Sequence, residues 1–393
     1  MVALFSSANL LLMLPAALAA FEPGSTANVA VYWGQNSIQQ GSGPHAQQRL
    51  SFYCENSNIG IIPLAFMNGI SPPIVNFANA DSNCTASQED ANIESCPQLE
   101  EDIKYCQKTY SKTILLSLAG ATYSQGGWSS SGDAEKAAQL VWDMFGPALS
   151  GSTVRRPFGS AVVDGFDFDF ESTANNLPAF GRKLRSLMDA SGGKKYYLSA
   201  APQCAFPDAY VGTTLDAVPF DFVMIQFYNN YCGVSNFSQS LGTENKFNFG
   251  QWDSWARSSK NQSVKLLMGI PAALGAGGGY ASGIQLKAAI QYAQRYSSFG
   301  GVMMWDMSQL YSNNGFLSEV VSDMEGGQFA TLPPASTTTN PGTALPTSSS
   351  LPILTGAFQE QYAQCGGNWY TGPTVCKAPY TCVRHSEWWS SCK

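Results

Sequence analysis

The sequence predicts an α/β protein whose body is a (β/α)8 barrel, the TIM-barrel fold. Eight short apolar runs of strand length lie at 29–33, 59–66, 113–118, 162–171, 197–201, 222–227, 265–271 and 301–305. Helix-like stretches separate several of these runs, at 133–145, 177–190 and 283–296. Strands that alternate with helices form parallel sheets, and eight of them in about three hundred residues favour closure into a barrel. A doubly wound open sheet is the alternative, although no G-x-G-x-x-G follows an early strand, which argues against its dinucleotide-binding form.

Composition narrows the class of protein. Hydrophobic residues make up 44% of the chain and charged residues only 12%, so a large core can form beneath a mostly neutral polar surface. The net charge of −7 argues against a nucleic-acid partner, because phosphate binding requires clustered lysine and arginine. With two histidines and no C-x-x-C pair, we also expect no metal site and no cofactor.

Residues 1–20 have the pattern of a secretory signal peptide. Their apolar run of about a dozen residues ends in small residues and is shorter than the roughly twenty that a membrane span needs. Ten cysteines, six in the body and four near the C-terminus, fit an oxidising compartment and can all form disulfides. We therefore expect a secreted, extracellular protein that has no membrane partner and that is compatible with a place in the cell wall.

The composition also divides the chain into domains. After the signal peptide, residues 21–328 form the predicted barrel. Residues 329–357 are rich in proline, serine and threonine and predict an extended linker. Residues 358–393 are too few to fold on apolar burial alone, so we expect their four cysteines to staple a small all-β module.

Acids alternate with phenylalanine in the fourth predicted strand, "DGFDFDFE" at 164–171. Alternate residues of a strand share a face, so Asp167, Asp169 and Glu171 are expected to point into the barrel and the phenylalanines toward the helices. Asp164 falls outside this alternation, and we interpret it as structural. Buried carboxylates cost several kcal/mol each unless they share protons and hydrogen bonds, so stability alone would not select this row. Closely spaced carboxylates tend to keep one member protonated, which makes Glu171, at the C-terminal end of the strand, a candidate general acid.

This row matches D-x-x-D-x-D-x-E, and residues 27–325 resemble glycoside hydrolase family 18, in particular its plant-type, hevamine-like chitinases. Four further segments resemble that subgroup in order and spacing: "VAVYWGQNS" at 29–37, "SAAPQC" at 199–204, "VMIQFYNNYC" at 223–232 and "GGVMMWDMS" at 300–308. The resemblance implies an endochitinase that hydrolyses the β-1,4 bonds of chitin and chito-oligosaccharides with retention of configuration. The nucleophile would be the acetamido group of the substrate, since this family is an exception to the two-carboxylate rule.

The resemblance also assigns roles to residues. Glu171 would be the general acid and base, Asp169 would orient the acetamido group, and Asp167 would share a proton deeper in the row. Tyr228 would hydrogen-bond the acetamido carbonyl. The other candidate substrate-binding residues are Gln226, Asn229 and Trp305, the last as the floor under the distorted sugar. Trp33 and Tyr32 end the first strand, and either could line the cleft, although a core position is an equal alternative.

One position departs from the family pattern, in which the third strand usually ends S-x-G-G. Here the corresponding residues are "SLAG" at 117–120, so Ala119 replaces a glycine, and we expect its methyl group to shape a sugar subsite. The resemblance further implies the disulfides Cys54–Cys106, Cys84–Cys96 and Cys204–Cys232, where arithmetic alone leaves fifteen pairings open.

Residues 362–392 resemble the fungal carbohydrate-binding module of family 1, with Q-C-G-G, T-G-P-T-V-C and an aromatic pair before the last cysteine. The resemblance implies the disulfides Cys365–Cys382 and Cys376–Cys392. It also implies an aromatic strip of Tyr362, Trp388 and Trp389 that binds insoluble chitin or cellulose.

Two other functions remain as alternatives. One is a catalytically silent chitin-binding lectin or inhibitor on the same barrel. Relatives of that kind have generally lost a member of the acid row. The other is an endo-N-acetylglucosaminidase that acts on N-glycans, for which a polysaccharide-binding tail would be of little use. For each of these functions we expect a monomer.

Overall fold

The computed structural model of the protein describes residues 20–86, 94–238, 246–326, 359, 364–366, 374–384 and 390–393. Nearly all of the predicted signal peptide and the whole of the predicted linker lie outside these residues. Among the helices of the described ranges, none has both the length and the apolar character that crossing a membrane requires.

Eight parallel strands close into a barrel, as the apolar runs predicted. In chain order they are β1 (Asn28–Val31), β2 (Ile61–Met67), β3 (Thr113–Ala119), β4 (Gly165–Asp169), β5 (Tyr197–Ala200), β6 (Phe222–Gln226), β7 (Lys265–Pro271) and β8 (Phe299–Trp305). Each strand pairs with its neighbours in sequence, and β8 pairs with β1 to complete the ring. The closed ring excludes the open-sheet alternative.

Helices surround the barrel in the part of the chain that the structure describes. They are α1 (Leu50–Cys54), α2 (Pro97–Tyr110), α3 (Ser131–Phe145), α4 (Leu177–Ala190), α5 (Gly212–Ala217), α6 (Phe249–Ser258), α7 (Gly283–Ala293), α8 (Met307–Ser312) and α9 (Phe316–Glu325). The three stretches predicted as helices correspond to α3, α4 and α7.

Strand β4 has the two faces that its alternation predicted. Phe166 and Phe168 are fully buried in the layer between strands and helices, and the ring centroid of Phe168 lies 5.6 Å from that of Phe180 on α4. Asp164 lies just before the strand, where its carboxylate pairs with Lys194 at 2.6 Å and accepts the Ile114 N–H at 2.8 Å. Asp164 therefore joins elements at the N-terminal end of the barrel and has no place among the inward-facing acids.

Apolar side chains fill the barrel beneath the acids. Phe21 closes the N-terminal end, where its ring centroid lies 4.4 Å from that of Phe222, and Leu115, Met224 and Leu267 are fully buried above it. Among the described residues, the polar partners of the acids therefore lie on the neighbouring strands and at the strand ends, above this apolar packing.

The disulfides pair as the resemblance implied. In the body they are Cys54–Cys106, Cys84–Cys96 and Cys204–Cys232, and in the tail Cys365–Cys382 and Cys376–Cys392. Cys204–Cys232 joins the loops that follow β5 and β6. The described part of the tail contains an antiparallel sheet of Gln364–Gly366, Ser390–Cys392 and Cys382–Arg384, with Ser390–Cys392 in the centre. Tyr362, Trp388 and Trp389 lie outside the described residues.

Candidate active site

The three acids of the fourth strand meet at the C-terminal end of the barrel. Asp167 and Asp169 belong to β4, point inward and are 0% and 3% exposed, whereas Glu171 follows the strand by two residues and is half-buried. The row therefore rises from the sealed interior toward the mouth of the barrel, and Glu171 stands at the mouth.

Asp167 is held by three hydroxyl groups from three other strands or their ends. Ser117 on β3 and Tyr32 just after β1 donate to one carboxylate oxygen, and Ser199 on β5 donates to the other, each at 2.7 Å. Burial raises the pKa of Asp167, and the three donors oppose that rise because they stabilise the carboxylate. The sequence analysis had not identified these donors as partners of Asp167.

Asp169 and Glu171 form a pair that favours sharing a proton. Burial raises the pKa of Asp169 well above its ordinary value, and the negative charges of Glu171 and Asp167 raise it further. Burial also raises the pKa of Glu171. Gln226, at the end of β6, donates its amide to Asp169 at 2.9 Å and to the Ala201 carbonyl at 3.0 Å, which fixes the orientation of the Asp169 carboxylate.

A cavity of 190 Å³ opens above this pair. Six of the residues that the sequence analysis proposed line it: Asp169, Glu171, Gln226, Tyr228, Asn229 and Trp305. Tyr32 lines it as well, and the structure adds Gln35, Phe66, Ala121 and Thr122. The lining combines two acids, four aromatic rings and several amide side chains, which suits a sugar ring with polar edges and apolar faces.

Aromatic packing fixes Trp305 at the end of β8. Its ring stacks on Phe66 with centroids 5.9 Å apart and lies 5.5 Å from Tyr32. The next residue, Asp306, is buried and caps α8 by accepting the Gln309 N–H, and its carboxylate also accepts the Ser37 N–H at 3.1 Å. The Trp305 ring is therefore held between a rigid aromatic neighbour and an anchored backbone.

Tyr228 is a phenol in an acidic environment. It is 6% exposed, and burial together with the charges of Asp169 and Glu171 raises its pKa well above the ordinary value, so it keeps its proton. The neighbouring Asn229 has a left-handed backbone, with φ of 55°, and its side-chain oxygen accepts the Gly278 N–H at 2.6 Å. Tyr228 can thus donate a hydrogen bond into the cavity from a backbone that is fixed on its C-terminal side.

Two expectations need correction. Trp33 does not line the cavity, because it is 1% exposed, stacks against Phe77 and donates its ring N–H to the Gln48 carbonyl at 3.0 Å. Trp33 is a core residue, and its neighbour Tyr32 lines the cavity instead. Ala119 is fully buried in the outer core at φ of 83°, so its methyl group does not shape the cavity.

An inward-facing row of buried carboxylates at the C-terminal face of a parallel barrel, beneath a cavity lined in part by aromatic rings, is the arrangement expected of a glycoside hydrolase. The chain belongs to the glycosyl hydrolases family 18, whose family model matches residues 28–276. A second family model, the fungal cellulose binding domain, matches residues 361–389.

Individual proteins resemble the chain closely. Endochitinase 33 of Trichoderma harzianum is 58% identical over 322 residues, which are 82% of this chain and 99% of that protein. A class III chitinase of Arthroderma benhamiae is 44% identical over 308 residues, 76% of this chain and 86% of the relative. Two solved structures share the barrel. The ICChI chitinase of Ipomoea carnea has a TM-score of 0.59 at 29% identity and covers 75% of this chain and 99% of its own. The xylanase and α-amylase inhibitor protein XAIP-II of Scadoxus multiflorus has a TM-score of 0.57 at 26% identity and covers 77% and 99%.

Proposed function

We propose that the protein is a secreted endochitinase that hydrolyses β-1,4 bonds between N-acetylglucosamine units with retention of configuration. The observation that carries this proposal is the row Asp167–Asp169–Glu171, which rises from a sealed barrel to a cavity that Trp305 helps to line. The similarity to Endochitinase 33 and to a class III chitinase supports chitin as the substrate.

In the first step the proton shared by the acid pair lies on Glu171. Glu171 donates it to the glycosidic oxygen as the bond from that oxygen to the anomeric carbon breaks. The acetamido oxygen of the same sugar forms the new bond to the anomeric carbon and gives an oxazolinium ion, and the leaving chain departs as an alcohol. Asp169, now a carboxylate, accepts the acetamido N–H and opposes the positive charge, while Tyr228 donates to the acetamido oxygen.

In the second step water opens the oxazolinium ion. Glu171 takes one proton from the water as its oxygen attacks the anomeric carbon, and the bond to the acetamido oxygen breaks. Two displacements at one carbon restore the original β configuration, and the proton returns to Glu171. Three hydroxyl groups donate to Asp167 and stabilise its carboxylate against burial, and the negative charge of Asp167 raises the pKa of Asp169, which favours a proton on the pair above it.

The C-terminal tail and the first twenty residues support two further parts of this proposal, attachment to polysaccharide and secretion. The match to a cellulose binding domain supports a tail that keeps the barrel on insoluble chitin or cellulose and so raises the local substrate concentration. Five disulfides, together with the leader-like first twenty residues, support secretion into an extracellular or cell-wall space. We propose that the enzyme works there as a monomer.

A silent lectin or inhibitor is the second candidate, because the chain shares its barrel with the inhibitor protein XAIP-II. The complete acid row and Tyr228 favour catalysis over this alternative. A proton NMR time course of an N-acetylglucosamine oligomer with the wild type and with Glu171→Gln separates the two. Early release of the β-anomer by the wild type and none by Glu171→Gln supports the enzyme. Early α-anomer contradicts retention, and binding of the oligomer without turnover supports the lectin or inhibitor.

A further inference from the structure

The loop after β5 contains a buried acid that the mechanism above does not use. Asp208 is 7% exposed, and its carboxylate accepts three backbone N–H groups, from Gln203 at 2.9 Å and from Tyr210 and Val211 at 2.7 Å each. Three such donors stabilise the ionised form of a carboxylate against the cost of burial. Burial raises the pKa of Asp208, and the three backbone donors oppose that rise because they stabilise the carboxylate, which also closes its own loop.

This loop is attached to the strand that orients Asp169. Gln203 forms a β-bridge with Gln226, the Gln226 N–H donates to the Pro202 carbonyl at 2.8 Å, and the Cys204 N–H donates to the Gln226 carbonyl at 3.2 Å. The disulfide Cys204–Cys232 fastens the same loop to the one after β6. A change at Asp208 thus reaches Asp169 through Gln203 and the amide of Gln226.

The charge of Asp208 also reaches the acid pair directly. It raises the pKa of both Glu171 and Asp169, after the larger effect of burial. The other titratable groups that face the pair or its neighbours are Asp167 on β4, Tyr32 after β1, Tyr228 after β6 and Asp306 after β8. These groups are acids and phenols, so Asp208 adds to a negative field around the shared proton.

We propose that Asp208 is a positioning residue of this site: it anchors the loop after β5 against β6, whose Gln226 orients Asp169, and its carboxylate adds to the negative field at the proton that Asp169 and Glu171 share. Asp208 contacts no reacting atom. The inference rests on the proposed function only in treating that proton as the one that Glu171 gives to the substrate, because the anchor and the charge are features of the fold. Its consequence is that Glu171 remains a proton donor to higher pH than it would without Asp208.

The test is Asp208→Asn, which keeps a side-chain oxygen for the Tyr210 and Val211 N–H groups and removes the charge. The first readout is the pH profile of kcat/KM on an N-acetylglucosamine oligomer, whose alkaline limb reports the acid of the free enzyme. We expect that limb to move to lower pH by roughly 0.5 pH units or more, the order of shift that removal of a neighbouring unit charge produces. The second readout is the carboxyl ¹³C titration of Glu171 in glutamate-labelled protein, assigned with Glu171→Gln, which requires no turnover.

The matched control is Glu135→Gln, which removes an exposed carboxylate on α3 and should leave both readouts at their wild-type values. A lower kcat/KM with an unmoved alkaline limb and an unmoved Glu171 titration would overturn the proposal, because it would make Asp208 only an anchor. If the wild type fails to cleave the oligomer, the proposed function fails, yet the ¹³C titration still tests Asp208. If Asp208→Asn does not fold, Asp208→Glu takes its place: it moves the charge by one methylene, and an unchanged Glu171 titration overturns the proposal equally.

Discussion

Removal of a single hydroxyl beneath the acid pair tests how the site keeps its proton. Ser117→Ala deletes one of the three donors to Asp167 and changes little volume, and both Ser117 and Asp167 are 0% exposed. No water can replace the lost bond without entering the barrel. A hydrogen bond to a charged group contributes about 1.5–3 kcal/mol, so we expect a fall in Tm of roughly 2–5 °C at pH 7 for a barrel of about three hundred residues.

The pH dependence of this loss has a definite sign. Burial raises the folded-state pKa of Asp167 above the unfolded value, so ionisation of Asp167 costs folding free energy as the pH rises. Ser117→Ala removes a donor that opposes this rise, so the pKa of Asp167 goes higher still. The stability difference between the two proteins is therefore largest at high pH and shrinks as the pH falls through the raised pKa of Asp167.

The same substitution should weaken catalysis. A more easily protonated Asp167 raises the pKa of Asp169 less, so the pair holds its proton less firmly at the working pH. We expect kcat to fall about tenfold, which corresponds to about 1.4 kcal/mol in the barrier. The assay combines Tm from pH 5 to 9 with kcat on a soluble oligomer.

Ser298→Ala is the matched control. The Ser298 hydroxyl donates to the buried Asp253 carboxylate at 2.7 Å. This is the same kind of serine–aspartate hydrogen bond, but it lies at the end of the barrel opposite the cavity. Ser298→Ala should lower Tm and leave kcat unchanged. If Ser117→Ala lowers Tm by the same amount at every pH and keeps the wild-type kcat, the argument that Asp167 is held as a charge is wrong.

Three further outcomes follow from the structure. Tyr228→Phe should lower kcat by about 10²–10³ with little change in Tm, since it removes one donor to developing charge, and a steady-state assay that finds wild-type kcat would contradict this. Gly120→Ala should lower Tm and raise KM, because φ at Gly120 is 75° and the added Cβ atom would lie 2.9 Å from the ring of Phe66, which lines the cavity. In the control Gly132→Ala the Cβ atom would meet nothing closer than 3.8 Å, so neither Tm nor KM should change in this way. Burial lowers the pKa of Lys112 to about 8, so between pH values of about 8 and about 10.5 the folded state binds fewer protons than the unfolded state. Urea unfolding should therefore show that the wild type gains stability relative to Lys112→Met as the pH rises across that range. A constant difference in stability would refute the argument.

The barrel was readable from the sequence because its strands are buried on both faces. Each of the eight apolar runs lies on a barrel strand, and the limits differ by only a few residues. The alternation of acids and phenylalanine in β4 also identified which face points inward, because its two kinds of residue differ so strongly in polarity. Strand β1 lacks such a contrast, and there the sequence left Trp33 equally open to the cavity and to the core; its place among the candidate cavity residues was wrong.

The error at Trp33 had a signal in the sequence. Ala30 and Tyr32 face the barrel interior, whereas Val31 and Trp33 face the helices, so a strict period of two would have selected Tyr32. At Ala119 the same rule fails for a physical reason. Its φ of 83° turns the chain away from the strand, and the sequence alone cannot show that an alanine adopts such a conformation.

The partners of Asp167 were beyond the sequence because they depend on register and closure. Ser117 and Ser199 lie directly opposite Asp167 on the neighbouring strands, an alignment that no local pattern specifies. Tyr32 is a stronger case, since three strand spacings separate β1 from β4 along the sheet, about 14 Å at roughly 4.8 Å each. A phenol cannot span that distance across an open sheet. Only a closed barrel, which brings β1 and β4 to opposite sides of one lumen, allows the Tyr32 hydroxyl to reach Asp167 at 2.7 Å. The fold thus does more than display the acids at its mouth: its closure completes the set of donors that determines where their shared proton lies.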